Sequence, residues 1–322
     1  MTRFGYTLMT EQSGPKELVR YAVGAEQAGF DFAVSSDHYF PWLPEMGHSG
    51  YAWSMLGAVA HATEHLELMT YVTCPTMRYH PAVIAQKAAT IGLLSDNRFT
   101  LGLGSGENLN EHVVGRGWPI ASVRQDMLLE AIQLIRALHT GEQTTWVGEH
   151  FRADSAKIWD LPSQPVAIGT AVSGDASIDR FAPVADHLIA VEPEADLVRG
   201  WDKARGDSNS RKIGQIPVCW GPDKDRAVQR AHELFRWFGG GWHVNSNLPT
   251  PVAFNDASQF VRPEDVADSI ACGPDLDELA QSVQPFLDAG FTDVALVQVG
   301  DESQEQFLSE VAGPLLGRLR SL

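Results

Sequence analysis

Asp37, His38 and Trp42, in the run Ser35-Ser36-Asp37-His38-Tyr39-Phe40-Pro41-Trp42, are the side chains of this sequence best suited to chemistry. A histidine moves protons near neutral pH, and an adjacent aspartate can orient it. A tryptophan walls off a flat ligand or donates one indole hydrogen bond. The apolar run Phe30-Asp31-Phe32-Ala33-Val34 reads as a buried strand, so all three residues fall where a strand passes into a loop. Two further strand ends make the same suggestion. Thr70-Tyr71-Val72-Thr73-Cys74-Pro75-Thr76 leads into a helix, and Gly102-Leu103-Gly104-Ser105-Gly106 is followed by Glu107 and Asn110. Small residues let a ligand approach the backbone closely. The glycines lack the spacing and acidic follower of a dinucleotide fingerprint, so their signal lies in their place at a strand's carboxyl end.

Such side chains need a scaffold that gathers strand ends. Strand-like and helix-like segments alternate almost throughout: strands at Phe4–Leu8, 30–34, Leu66–Thr73, Phe99–Leu103, 165–170, 185–191, 215–220 and 293–299, with helices at Pro15–Ala28, 51–63, Pro81–Leu94, 123–138, 225–238, 275–289 and 302–319. Eight strands in alternation predict a parallel sheet, and closure into a (β/α)8 TIM barrel is the simplest solution. Active sites of that fold lie at the carboxyl-end rim. Two insertions break the rhythm. Residues 141–161 hold a short hairpin at Thr144–Phe151, and 239–260 form an irregular stretch of the kind used as a lid or binding loop. No hinge-like linker interrupts the pattern, so residues 1–322 read as one domain.

Composition narrows the partners. A formal net charge of −17 argues against nucleic acid and anionic membranes. No apolar run is long enough to span a bilayer, and the start lacks the apolar region of a signal peptide. Cys74, Cys219 and Cys272, odd in number and widely spaced, fit reduced thiols in a cytoplasm. His61 and His65 lie one helical turn apart with no third ligand candidate nearby, so no metal site is expected.

Three motifs together make the sequence specific. Asp37-His38 followed by Trp42, the run Thr-x-Arg-Tyr-x-Pro-Ala-x-Ile-Ala-Gln from Thr76 to Gln86, and Gly-Ser-Gly-Glu-x-Leu-Asn-Glu from Gly104 to Glu111 resemble the luciferase-like flavin/deazaflavin superfamily. Within it they most resemble the branch of coenzyme F420-dependent glucose-6-phosphate dehydrogenase. The resemblance is close over residues 1–140 and loose beyond. It implies a (β/α)8 barrel, a homodimer, and F420 in the barrel mouth. Carried over residue by residue, it makes Asp37 and Asn110 cofactor neighbours and His38 the base for a substrate hydroxyl. It makes Trp42 a holder of the transition state and Glu107 the acid beside the ring. It also implies a non-proline cis peptide at Tyr71–Val72 under the ring, with Cys74 near it, and phosphate-binding backbone at Gly169, Thr170 and Ala171 or at Ser173-Gly174.

The resemblance fails where sugar-phosphate users of the branch place lysines and an arginine. Here the corresponding stretch reads Glu192-Pro193-Glu194-Ala195-Asp196, no lysine follows Lys224, and Asp265–Ile270 offers no arginine. A buried phosphate dianion without cations costs several kcal/mol. The expected substrate is therefore a neutral alcohol, sugar or ketone, with His48, Trp220, Trp242 and His243 as candidate pocket walls. The alternatives are an FMN-dependent monooxygenase of the same superfamily, and a flavin-binding barrel without activity.

Overall fold

A computed structural model describes residues 2–322. Eight parallel strands close into a barrel: β1 Arg3–Leu8, β2 Phe32–Ser35, β3 Glu67–Thr70, β4 Phe99–Leu103, β5 Ala167–Ala171, β6 His187–Ile189, β7 Lys212–Trp220 and β8 Asp293–Gln298. They pair in that order, and closure comes from β6 on β7, β7 on β8, and β8 on β1. A short ninth strand, Ala271–Gly273, pairs with the end of β7 outside the ring. Sequence periodicity missed it because it is only three residues long.

Local signals place the helices well. Pro15 opens Pro15–Ala28, whose buried Leu18, Tyr21, Ala22 and Ala25 repeat at helical spacing. Gly29, at φ +95°, ends it in a left-handed turn. Pro81–Leu94 runs as expected from its leading proline. The predicted 275–289 helix is two short pieces, Leu276–Gln281 and Gln284–Asp288.

The barrel interior is apolar above and ionic below. Phe32, Val34, Met69, Ile189, Ile213 and Ala295 pack inside it. A side chain on Gly5 would run into the Phe32 ring, at 2.3 Å, so the first strand must be bare there. The amino-end floor is closed by Arg3, Arg211, Glu67 and Asp293, with N–O separations of 2.6–3.7 Å.

The two insertions are ordered. Thr144–Val147 pairs antiparallel with Arg152–Ala156 as a hairpin outside the barrel. The stretch 239–260, expected to be irregular, instead holds helices Trp242–Asn245 and Pro251–Ser258, preceded by a 3-10 turn at Arg236–Gly240. Thr250 caps the second of these through Ala253 N–H, and Pro251 starts it. The Thr250-Pro251 pair is the local signal of that helix start.

Candidate active site

The loop after β2 carries Asp37 and His38, and two neighbouring loops clamp it. Arg78 Nη2 donates to the Asp37 carbonyl at 2.5 Å, and Ser49 Oγ donates to the His38 carbonyl at 3.1 Å. Asn110 Oδ1 accepts from the N–H groups of Tyr39 and Phe40, at 2.8 and 3.3 Å, while its Nδ2 donates to Glu107 at 3.1 Å. Asn110 thus joins the β2 loop to the β4 loop.

His38 lies between two carboxylates. Its Nδ1 is 3.2 Å from Glu11 Oε1 and 3.1 Å from the Phe40 carbonyl, both acceptors, so Nδ1 carries a proton. Its Nε2 lies 3.4 Å from Glu107 Oε2. Burial pushes the Glu107 carboxyl up from its ordinary range, against the opposing pull of His38. Glu11 is buried and also accepts from Thr10 Oγ1 at 3.1 Å and from Ser36 Oγ. The imidazole is thus held between Glu107 at one nitrogen and the buried Glu11 at the other.

Glu11 was missed at the sequence level. Its signal was its place three residues past β1, at the same rim as Asp37. Arg78 and Glu111 lie within the second and third motifs. Arg78 reaches Asp37 on one side and Glu111 on the other, with its backbone N–H donating to Glu111 at 2.8 Å. Burial pushes Glu111 up to about 7.

Asp37 is committed within the protein. Its carboxylate accepts from Thr73 Oγ1 at 2.7 Å, Tyr79 OH at 3.0 Å, Trp53 Nε1 at 3.1 Å and Arg78 Nη2 at 3.3 Å. Those four donors match the capacity of a carboxylate, which gives Asp37 the part of an anchor for the His38 loop.

The floor beside these groups is apolar. Tyr71 and Val72, joined by a cis peptide, are half-exposed on the interior cluster. Tyr71 OH donates to the Ala190 carbonyl at 3.0 Å. Gly104 must lack a side chain, because a Cβ there would stand 2.6 Å from Val72 Cγ2. Cys74 is buried, and burial with the neighbouring Glu111 and Glu107 pushes its thiol well up, so it is a packed neutral thiol.

Gly169, Thr170 and Ala171 lie inside β5 and pair with β6, the first two also with β4. The Val172 N–H donates to Ile189, and the Ser173 N–H to Ser177 Oγ. Backbone donors with no such partner begin only at Gly174.

Trp42 stands beside His38, ring centroids 4.7 Å apart, and stacks on Trp237 at 4.1 Å and 10° with Phe254 edge-on at 5.1 Å. The segment carrying these aromatics is fastened to the β4 loop, where Asn108 N–H donates to Ser246 O at 3.0 Å and Trp118 Nε1 to Asn247 at 3.1 Å. It is a fixed apolar wall. Of the four pocket candidates, Trp220 lies in the main core, apart from the cluster that holds Trp42. The side chains of His48, Trp242 and His243 are exposed. Trp237 is the wall residue that sequence reasoning passed over; its signal was the aromatic run Phe235-Arg236-Trp237-Phe238.

Among the described residues no cluster of three His, Cys, Asp or Glu could hold a metal ion, and no helix is long and apolar enough to cross a membrane.

The chain is 34% identical over 331 residues to an F420-dependent glucose-6-phosphate dehydrogenase of Nakamurella multipartita, covering 99% of this chain and 97% of that protein. It is 35% identical over 294 residues to an F420-dependent hydroxymycolic acid dehydrogenase of Mycobacterium tuberculosis, covering 89% and 80%. Its fold superposes on an F420-dependent secondary alcohol dehydrogenase, solved with an F420-acetone adduct, with a TM-score of 0.90 at 26% identity, covering 99% of both chains. The luciferase-like monooxygenase family model matches residues 1–293. A (β/α)8 barrel whose residues 1–293 match that family model makes this chain a member of the luciferase-like monooxygenase family.

Proposed function

We propose that this protein is an F420-dependent oxidoreductase acting on the carbinol or carbonyl carbon of a neutral substrate. The observation that carries the reading is His38, its Nδ1 backed by Glu11 and its Nε2 turned toward Glu107 beside an apolar floor. F420-dependent dehydrogenases 34–35% identical to this chain support it.

When bound, F420 supplies the two-electron acceptor or donor. The protein's own groups handle the protons. His38 Nε2 takes the hydroxyl proton of an alcohol as the carbinol C–H bond breaks, and the Glu11 carboxylate stabilises the imidazolium that results. Glu107, whose acid form burial favours, can give a proton to a ring nitrogen that gains negative charge. Trp42, held by Trp237, fixes the substrate face and excludes water. In the reverse direction the same groups return the same protons.

The cations of the later barrel segments support a neutral substrate. Arg211 serves the barrel floor, Lys212 pairs with Asp202, Lys224 with Glu278, Arg230 with Glu302, Arg236 with Glu45 and Arg262 with Asp265. These six are all engaged with carboxylates, while Arg226 and Lys203 stand unpaired at exposed helix positions. The reading carries with it a homodimer in a reducing cytoplasm; three buried, unpaired cysteines support the compartment.

The test is tryptophan-quenching titration with F420 and FMN separately, then turnover with secondary alcohols, ketones, free sugars and glucose 6-phosphate. Micromolar F420 binding and alcohol turnover are expected. FMN binding without F420 binding would replace the reading with a monooxygenase, and efficient oxidation of glucose 6-phosphate would overturn the neutral-substrate assignment.

A further inference from the structure

Three glutamines, Gln12, Gln298 and Gln304, stand where β1 and β8 leave the barrel, and the chemistry described so far uses none of them. All three are buried. A buried amide costs free energy unless its hydrogen bonds are made, and here they join three neighbouring segments. Gln12 Nε2 donates to the Gln298 carbonyl at 2.9 Å, and Gln12 Oε1 accepts from Gly300 N–H at 3.1 Å. Gln304 Nε2 donates to the Gln298 and Gly300 carbonyls at 2.7 and 2.9 Å, and its Oε1 accepts from Tyr6 OH. The Gln298 side chain crosses to β7, where its Oε1 accepts from Trp220 N–H and its Nε2 donates to the Trp220 carbonyl, both at 3.0 Å.

These bonds reach the site through Gln12. The ladder between β1 and β8 ends at Tyr6 and Leu296. Glu11 lies beyond it, in a turn where Gln12 N–H donates to the Met9 carbonyl at 3.3 Å. On the β2 side this turn is held by Thr10 N–H on Ser36 Oγ and by His48 N–H on the Glu11 carbonyl, both at 3.1 Å. On the β8 side the Gln12 amide holds it, through one donor and one acceptor. Glu11 needs such a hold. It sits across His38 from Glu107, and the two carboxylates repel, Glu11 being among the charges that raise the Glu107 carboxyl. Glu11 Oε1 is 3.2 Å from His38 Nδ1, and a retreat of about 1 Å takes it out of hydrogen-bond range.

We propose that Gln12 is a positioning residue for His38: by tying the Glu11 turn to the end of β8, it keeps the Glu11 carboxylate against Nδ1. Both ends of its amide are taken by protein groups, so it acts through Glu11. The inference rests on the reading of His38 as the base.

The experiment compares wild type, Gln12→Met, Glu11→Gln and Gln12→Met/Glu11→Gln, with thermal unfolding as the folding control. Two quantities are read. One is kcat and KM for F420 reduction by a secondary alcohol. The other is the His38 Nδ1–H resonance of cofactor-free protein carrying nitrogen-15 histidine, assigned by its absence from His38→Ala. Gln12→Met should lower kcat about tenfold with KM within about threefold. In the Glu11→Gln background the same substitution should lower kcat by less than about twofold, because the carboxylate it positions is gone. The Nδ1–H resonance should move upfield in Gln12→Met, as in Glu11→Gln. An unchanged kcat, an equal loss in both backgrounds, or an Nδ1–H resonance that Gln12→Met leaves in place overturns the proposal, since an amide that only stabilises the fold does not reach His38 through Glu11. If Gln12→Met does not fold, Gln12→Ser, which admits water to the Gln298 carbonyl and Gly300 N–H, replaces it in every measurement. Should the wild type reduce F420 with no alcohol, the functional reading fails, and the Nδ1–H resonance alone decides the role of Gln12.

Discussion

Replacing Glu11 by glutamine should slow catalysis while leaving the fold and substrate binding nearly intact. Glutamine keeps the size and a hydrogen-bond acceptor for His38 Nδ1 but removes the negative charge. At the 3.2 Å separation of Glu11 Oε1 and His38 Nδ1, unit charges interact by about 5 kcal/mol at an effective dielectric constant near 20. That is an upper bound. The glutamine retains the hydrogen bond, and Thr10 Oγ1 and Ser36 Oγ still surround the site. About 2–3 kcal/mol should be lost from the transition state in which the imidazole gains its proton, or roughly 30- to 150-fold in kcat. The assay is initial-rate F420 reduction by a saturating secondary alcohol, followed by absorbance, with KM from the same data. The expected result is a kcat loss in that range with KM within about threefold. His38→Ala would be measured in parallel. A Glu11→Gln enzyme with kcat within threefold of wild type, alongside an inactive His38→Ala enzyme, would refute the idea that the buried carboxylate acts through His38.

Glu111 supplies a pH test of stability. Its carboxyl is pushed up to about 7 by burial, so the folded state binds its proton more tightly than the unfolded chain does. Stability from this group is therefore fully present below about pH 4.5 and falls as pH rises toward 7, by up to roughly 3 kcal/mol. Thermal unfolding of Glu111→Gln should show less loss between pH 5 and 8 than the wild type; equal slopes would count against it. Trp237→Ala removes the stacking partner of Trp42, and KM for apolar alcohols should rise about three- to tenfold from the lost aromatic pair, with kcat less affected. An unchanged KM would show that the wall does not depend on Trp237. Gly104→Ala places a Cβ 2.6 Å from Val72 Cγ2, so cofactor affinity should drop at least about tenfold as the floor shifts. Wild-type affinity in a folded variant would rule out Val72 as floor.

Much of the fold was legible because its signals are local. Pro15, Gly29 and Pro81 mark helix ends wherever the chain goes, and runs such as Phe99–Leu103 need only a buried strand to make sense. Short pieces are harder to read. The 275–289 helix divides in two at residues 282–283, and Pro285 in the first turn of the second piece is the local signal of the break, whereas the helices at 242–245 and 251–258 are too short for periodicity to register. At the site, His38 and Glu107 stood out because each follows a strand directly.

The sequence by itself determined the class of chemistry: a histidine and a tryptophan after the second strand and a glutamate after the fourth, in an alternating α/β chain. Those residue types and that placement are one-dimensional facts. Only the tertiary structure decided how they are wired. Glu11 backs His38 because β1 and β2 are neighbours in register, Trp237 supports Trp42 because the distant turn at Arg236–Gly240 folds against it, and Asp37 turns out to anchor a loop because four donors from three segments converge on it. Each of these depends on contacts between residues far apart in the chain, and burial then sets which carboxyls hold a proton.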